Sequence, residues 1–238
     1  MARSIAPPRQ GCHDKPGHHD ELDVTQRTQI VTAVVDALQQ ALTGSTCCRR
    51  GSLAAGSADD YSDVDLQWTV AVADFGDACR ATHLTRVGEV EALRTDPLIG
   101  VHSAQRLIFF RVAGLPLFWW VDLGILSADH DPEAVHPPGS FQSSETWSAT
   151  HSALMCAVAA IKAFLRHRPD EGAHLVSKGF ERIHIPVPTV PPRRQILALI
   201  DTIYGADDTH APLVAQIRQL CQDAFAETGG SGGDSSKR

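Results

Sequence analysis

The chain has 238 residues, of which 43% are hydrophobic and 21% charged, and its formal net charge is −7. These values are ordinary for a globular protein of one moderate domain or two small ones. The negative balance argues against a broad cationic surface for polynucleotides, so an enzyme that copies a nucleic-acid template is not expected. No apolar stretch approaches the roughly eighteen residues that span a bilayer, and the N-terminus lacks the apolar core of a signal peptide. We therefore expect a cytoplasmic protein with no membrane partner.

The N-terminal region predicts a tail, a helix and a strand. Residues 1–20 are rich in Pro, Gly, His and charged residues, which is typical of a disordered tail. Between residues 21 and 43, apolar side chains recur every four positions, as they do on one face of an amphipathic helix. The apolar positions include Ile30, Val34 and Leu38. Residues 45–50 then predict a first strand.

The stretch from residue 51 to residue 70 carries the densest chemical signal. It opens with Gly51 and Ser52 and continues, eleven residues after Ser52, with Asp63-Val64-Asp65 and an apolar run. Residues i and i+2 of a strand point to the same face, so Asp63 and Asp65 aim two carboxylates at one place. Such a pair repels itself unless a cation lies between the groups, and Mg²⁺ commonly takes one or two carboxylates with phosphates and water. Gly51 allows a close backbone approach, and Ser52 begins a predicted short helix whose free N–H groups favour an anion.

A further acidic residue appears later in an apolar setting. The pattern predicts a helix from Asp74 to about Leu93, and then two antiparallel strands at residues 107–110 and 117–121. Asp122 follows the second apolar run directly, and more apolar residues come after it. Because an acid is costly to bury unpaired, we interpret Asp122 as a functional residue that supplies a third carboxylate. The alternative is an aspartate at the end of the strand that faces water.

The rest of the chain predicts helices separated by loops. Residues 129–144 contain several prolines and predict a linker, and Ser144 is the expected cap of the helix that follows. Residues 169–190 are predicted to be irregular, as a lid or a substrate loop. The tail 228–238, rich in Gly and Ser, is predicted to be flexible. The predicted helices span residues 145–166, 192–204 and 212–225.

Taken in order, Gly51-Ser52, Gly56 and Ser62-Asp63-Val64-Asp65-Leu66 resemble the signature of the polymerase-β-like nucleotidyltransferase superfamily. Within it, the sequence looks most like the bacterial small-molecule members, including the aminoglycoside and lincosamide nucleotidyltransferases. The resemblance covers residues 44–125, and the later residues match only in helical character. It implies an α+β fold, with a mixed or antiparallel nucleotidyltransferase sheet and flanking helices over residues 21–128. A smaller all-helical domain over residues 145–227 would follow.

The resemblance also implies an activity and its residues. A nucleoside monophosphate would pass from a nucleoside triphosphate, with ATP as the first candidate, to a hydroxyl group of a small-molecule acceptor. A cationic acceptor such as an aminoglycoside, and hence a role in antibiotic resistance, suits an acidic protein. The implied catalytic residues and Mg²⁺ ligands are Asp63, Asp65 and Asp122, with Asp122 also the best-placed base. The implied nucleotide-binding residues are Gly51, Ser52, Ser62 and, from the helical domain, Lys162, for which a solvent-exposed lysine is the alternative.

The sequence departs from the family at one place, and two other functions stay open. Many relatives carry basic residues after the Gly-Ser pair, whereas this chain has Leu53-Ala54-Ala55. Arg49 and Arg50 are the available substitutes. The first alternative function is a degenerate nucleotide-binding module with a regulatory role. The second is an antitoxin-like adenylyltransferase that modifies a protein.

Overall fold

The computed structural model of the protein describes residues 24–80, 83–84, 90–95, 104–112, 115–129, 148–206 and 209–226. The fold is α+β, with a mixed sheet and helices in the first part of the chain and helices in the second. The described residues divide into two compact units, 24–129 and 148–226. Both predicted tails, and all of the predicted linker except Asp129, lie outside the described residues. None of the helices within these ranges combines the length and the apolar character that a membrane span requires.

The first unit begins with a helix and a short strand that the sequence predicts. Helix α1 (Val24–Ala41) confirms the amphipathic helix indicated by the recurring apolar residues. Ile30, Val34 and Leu38 are all buried, so the predicted apolar face is the face that packs in the core. Strand β1 (Thr46–Arg49) follows and confirms the predicted first strand.

The first unit contains one five-stranded sheet. After β1 its strands are β2 (Val64–Val70), β3 (Val90–Thr95), β4 (Gln105–Val112) and β5 (Val121–Ser127). Their order across the sheet is β1-β2-β5-β4-β3, with β2 and β5 parallel and every other neighbouring pair antiparallel. Along β2 and β5, buried side chains alternate with half-buried ones. One face of this central pair therefore packs in the core, and the other is more open.

The predicted helix from Asp74 to Leu93 is wrong. Among the described residues between β2 and β3, a 3₁₀ turn and the single-turn helix α3 (Phe75–Ala78) come first, and residues 83–84 are again 3₁₀. The side chain of Asp74 makes no capping hydrogen bond. Val90 and Leu93 lie instead in β3, which pairs with β4. Apolar residues three positions apart are a weak helix signal, and pairing with a neighbouring strand overrides such local preferences.

The second of the two predicted strands begins later than expected. The antiparallel pairing is confirmed between β4 and β5, but β5 starts only at Val121 and contains Asp122 as its second residue. The apolar run from Leu117 to Trp120 is irregular and fully packed in the core. A turn in which Trp119 donates its backbone N–H to the carbonyl of Pro116 at 2.9 Å accounts for this shape. The apolar composition of residues 117–120 therefore indicates that they are buried, but it does not indicate that they form a strand.

The second unit is built from helices. They are α4 (Ala149–Leu165), α5 (Pro169–Arg182), α6 (Pro192–Ala206) and α7 (Ala211–Ala226). Three of the four, α4, α6 and α7, confirm predicted helices. The cap of α4 is Ser148, whose hydroxyl accepts a hydrogen bond from the backbone N–H of His151 at 3.2 Å. The predicted cap, Ser144, lies outside the described residues.

Helix α5 contradicts the first part of the irregular lid or substrate loop predicted for residues 169–190, whereas residues 183–190 are irregular as predicted. Pro169 begins the helix, and Gly172, Val176, Gly179 and Phe180 form its buried face. Glycine lowers helix propensity, which is why the sequence suggested a loop. Here both glycines allow close packing: a Cβ atom on Gly172 would lie 2.7 Å from the ring of Phe164, and one on Gly179 would lie 2.6 Å from Leu199.

We expect Gly179→Ala and Gly205→Ala to have different effects on stability. Both substitutions gain the same helix propensity, about 1 kcal/mol, but a Cβ at Gly205 meets nothing within 4 Å. Leu199, the nearest neighbour of Gly179, is completely buried. Overpacking should therefore place the free energy of unfolding of Gly179→Ala about 1–3 kcal/mol below that of Gly205→Ala. Urea unfolding of the intact variants measures this difference, and equal stabilities would contradict the close packing of α5.

Candidate functional site

Two of the three predicted acids lie side by side in the centre of the sheet. Asp65 of β2 and Asp122 of β5 are register partners across the parallel pair. Partner residues point to the same face, and the residues that flank both acids in sequence are buried on the opposite face. Both carboxylates therefore belong to the more open face, which we call the acid-bearing face. Two like charges placed opposite each other on neighbouring strands repel, so this arrangement favours a cation.

Asp63 lies at the same end of the sheet but is not part of a strand. It immediately precedes β2, whose first residue, Val64, donates its backbone N–H to the carbonyl of Trp120 at 2.8 Å. The structure thus brings the backbone of Asp63 close to the start of β5. Within the described ranges, no three His, Cys, Asp or Glu side chains are grouped in a way that would hold a metal ion. The sequence prediction of a three-carboxylate metal site therefore stays a prediction.

The donor set nevertheless fits Mg²⁺ in its chemistry. Mg²⁺ prefers oxygen ligands and is commonly held by one or two carboxylates, with phosphate oxygens and water completing its coordination. The register pair of Asp65 and Asp122 supplies two carboxylates from rigid neighbouring strands. The acid-bearing face therefore offers the part of a Mg²⁺ site that a protein usually contributes.

Gly51 lies directly against the carboxylate of Asp65. Its φ of 54° falls in the left-handed region that favours glycine. A Cβ atom at this position would overlap the carboxylate of Asp65 and lie 3.1 Å from its Cγ. The neighbouring backbone is also fixed, because Arg50 donates its N–H to the carbonyl of Asp65 at 2.8 Å. Glycine is thus required here both by the backbone conformation and by the space that Asp65 occupies.

The predicted short helix after Gly51 is present. Helix α2 (Gly51–Ala55) includes Ser52 and ends at Gly56, which has a φ of 68° and donates its N–H to the carbonyl of Ser52. The side chain of Arg50 extends from the start of this segment and donates a hydrogen bond to Gln67. Gln67 is two residues after Asp65 on β2, so Arg50 brings a positive charge to the acid-bearing face.

Ser62 and Lys162 lie in different settings. The buried hydroxyl of Ser62 donates to the carboxylate of Asp59 at 2.8 Å and accepts from the N–H of Asp59 at 3.0 Å, so it stabilises a turn before Asp63. Lys162 belongs to α4 in the second unit and is 6% exposed, which rules out the solvent-exposed alternative. The nucleotide-binding roles of both residues stay predictions.

Two buried arginines near the acids were missed in the sequence. Arg27 of α1 is 2% exposed and contacts the turn before Asp63. Arg111 of β4 is 6% exposed and shares a face with Phe109, the register partner of Asp122. Burial lowers the pKa of the Arg111 guanidinium. The available signal was an arginine within an apolar pattern: Arg27 continues the apolar face of α1, and Arg111 interrupts an apolar strand.

Comparisons with known proteins include two weak structural likenesses. No protein-family profile and no curated protein matches the chain. The polymerase core of TRAMP, an RNA surveillance complex, is similar with a TM-score of 0.33 and 12% identity over 91% of this chain. This chain covers 61% of that protein, or about three fifths. An aminoglycoside 6-adenyltransferase from Bacillus subtilis is similar with a TM-score of 0.22 and 9% identity, over 69% of this chain and 81% of that one. Scores this low carry no weight for function.

Proposed function

We propose that the protein is a Mg²⁺-dependent nucleotidyltransferase. It moves a nucleoside monophosphate from a nucleoside triphosphate, ATP in the first instance, to a hydroxyl group of a small molecule. The observation that carries the proposal is the register of Asp65 with Asp122 on neighbouring parallel strands, with Gly51 packed against the Asp65 carboxylate. Two carboxylates and a close backbone turn are the parts that a phosphate-bound divalent ion needs from a protein.

The residues of the chain have separate tasks in this reaction. The strand ladder fixes the backbones of Asp65 and Asp122, whose carboxylates would hold the ion, and Asp63 would add a carboxylate from the turn before β2. Mg²⁺ held by these carboxylates would supply charge neutralisation at the phosphates and a lower pKa for the attacking hydroxyl. Arg50, held near Asp65 by its bond to Gln67, contributes positive charge close to the phosphates. Most of the catalytic effect comes from positioning and charge neutralisation, as in other phosphoryl transfers.

The nucleotidyl transfer needs only the acceptor and the nucleoside triphosphate as reactants. The acceptor oxygen forms a bond to the α-phosphorus as the bond from that phosphorus to the pyrophosphate oxygen breaks. The acceptor proton goes to a carboxylate, for which Asp122 is our candidate. The products are the nucleotidylated acceptor and pyrophosphate. A formal net charge of −7 favours a cationic acceptor, and an aminoglycoside-type antibiotic has this chemistry.

The decisive test is transfer of label from each α-³²P-labelled nucleoside triphosphate with Mg²⁺, using a panel of aminoglycosides and other polyhydroxylated amines as acceptors. We expect one nucleotide to give a labelled small molecule, with one pyrophosphate released for each molecule formed. A labelled polypeptide band instead would indicate the protein-modifying alternative. Nucleotide binding without transfer to any acceptor or protein would contradict the proposal and favour a regulatory binding module.

A further inference from the structure

A buried arginine contacts the turn that leads into Asp63. The Nη1 atom of Arg27 donates to the carbonyl of Asp59 at 2.5 Å, and the carbonyl of Ser62 lies 3.4 Å from the same atom. The guanidinium also lies over the indole ring of Trp119, 5.6 Å from its centroid. Arg27 is 2% exposed and Trp119 is completely buried. The charge of Arg27 is thus compensated by backbone carbonyls and an aromatic face.

The same cluster joins the two segments that carry the acids. The indole N–H of Trp119 donates to the carbonyl of Asp60 at 3.0 Å. The rings of Tyr61 and Phe118 make an edge-to-face contact with centroids 5.2 Å apart. The backbone bond from Val64 to Trp120 follows at the start of β2. Residues 59–64 are therefore attached to residues 118–120 at three points, shortly before Asp65 and Asp122.

The contacts of Arg27 and Trp119 fix the position of Asp63, which the pairing of β2 with β5 does not fix. Asp65 and Asp122 are positioned by their own backbone pairing, whereas Asp63 precedes the first residue of β2. The place of Asp63 therefore depends on the turn at residues 59–62, and Arg27 contacts that turn at two carbonyls. An apolar side chain could fill the same space without the desolvation cost of a buried charge. A guanidinium at this position is explained by the contacts it makes to the turn.

We propose that Arg27 and Trp119 form a positioning pair that holds the segments bearing Asp63 and Asp122 together and thereby sets the divalent-metal affinity of the site. The effect on metal affinity rests on the proposed function, whereas the coupling of the two segments is independent of it. Because Arg27 and Trp119 are both buried, we assign them no contact with substrate. Arg27 acts through the turn before Asp63, and Trp119 acts through Asp60 and the segment before Asp122.

The test compares Arg27→Met with Leu38→Ala in the full chain. Leu38 is also a fully buried residue of α1, about 16 Å further along the helix axis. Mn²⁺ affinity is measured by electron paramagnetic resonance, and amide hydrogen exchange is followed at residues 59–64 and 118–122. We expect Arg27→Met to weaken Mn²⁺ binding by about tenfold and to raise exchange in both segments together. Leu38→Ala should keep the wild-type Mn²⁺ affinity, and it should not raise exchange in the two segments more than in the rest of the first unit. Arg27→Lys, which keeps the charge, should restore part of the affinity.

The Mn²⁺ affinity and the hydrogen exchange give different results if the positioning pair is absent and if the metal site is absent. Wild-type Mn²⁺ affinity and unchanged exchange in Arg27→Met would overturn the positioning pair while leaving the transferase proposal intact. If the wild-type protein binds no Mn²⁺, the proposed function fails, and the exchange measurement alone decides whether the pair couples the two segments. If Arg27→Met does not fold, Trp119→Phe replaces it, because that change removes the indole N–H bond to Asp60 and keeps an aromatic ring.

Discussion

Asp65→Asn and Asp122→Asn should each lower the rate of nucleotidyl transfer by about a thousandfold. Each substitution replaces a charged ligand by a neutral amide in a site that must concentrate positive charge at the phosphates. Loss of metal-based stabilisation of the transition state is worth several kcal/mol, and each 1.36 kcal/mol corresponds to a factor of ten in rate. Both residues are ligands from neighbouring strands, and Asp122 is also our candidate base, so we expect its replacement to cost at least as much activity as that of Asp65. Steady-state kinetics with labelled nucleotide measures the effect.

Asp60→Asn is the matched control for these variants. Asp60 is an exposed residue three positions before Asp63, so its replacement removes the same charge from the same region of the chain. Its backbone carbonyl, which accepts the bond from Trp119, is unchanged by the substitution. We expect this variant to keep wild-type activity within a few fold. An equal loss in Asp60→Asn would mean that net charge, not metal ligation, is responsible.

Ligand-dependent stabilisation gives a second readout for the same variants. A nucleotide with Mg²⁺ at about a hundred times its dissociation constant should raise the free energy of unfolding of the wild type by about 2.7 kcal/mol. The Mg²⁺-dependent part of this increase should disappear in Asp65→Asn and Asp122→Asn and remain in Asp60→Asn. Transfer activity within tenfold of wild type, together with undiminished Mg²⁺-dependent stabilisation, would show that the register pair is not the metal site.

The part of the site that the sequence predicts is the part that lies on consecutive residues. Asp63 and Asp65 are recognisable because they are two residues apart before an apolar run, but only Asp65 belongs to β2, so strand alternation does not place Asp63. The pairing of Asp65 with Asp122 needs the sheet, since a one-residue shift in register would send one of the carboxylates to the opposite face. Asp122 itself was recognisable only as an acid in an apolar setting. Its position opposite Asp65 depends on a pairing between residues more than fifty positions apart.

The role of Arg27 shows a different limit of sequence reasoning. Arg27 lies on the apolar face of α1, and an arginine on such a face has two ordinary interpretations, a solvated residue at the edge of the stripe or a buried charge with partners. The residues that contact the guanidinium distinguish the two interpretations. Here these residues are Asp59, Ser62 and Trp119, which are 32, 35 and 92 positions away in the chain. Nothing local to α1 identifies them.

The errors in the fold prediction have a common physical cause. The first part of the loop predicted at residues 169–190 is helix α5 (Pro169–Arg182), because Gly172 and Gly179 serve close packing rather than a break in the helix. The helix predicted from Asp74 gives way to β3, because the sheet provides a partner strand. In both places a tertiary contact outweighs a local propensity of about 1 kcal/mol or less. The helices that were predicted correctly, such as α1 and α6, have regular apolar spacing or an initial proline.

Gly51→Ala should reduce transfer activity by about a hundredfold. A Cβ atom at this position would overlap the carboxylate of Asp65, so the acid must move away from the place in which it faces Asp122. A displacement of about 1 Å in a catalytic group typically costs a factor of a hundred in rate. The left-handed backbone at Gly51 adds a cost of about 1–2 kcal/mol in stability, because any residue with a Cβ is strained at a φ of 54°.

The variant Gly56→Ala distinguishes displacement of the Asp65 carboxylate from strain of a left-handed backbone. Gly56 also has a left-handed backbone, with a φ of 68°, but a Cβ there meets nothing within 4 Å. Both variants should therefore lose similar stability in urea unfolding, while only Gly51→Ala loses activity and Mn²⁺ affinity. If both lose activity equally, backbone strain in α2 is the cause and the close approach of Gly51 to Asp65 has no catalytic role. If only Gly51→Ala is impaired, the space beside Asp65 is itself part of the site, which explains why a glycine stands there.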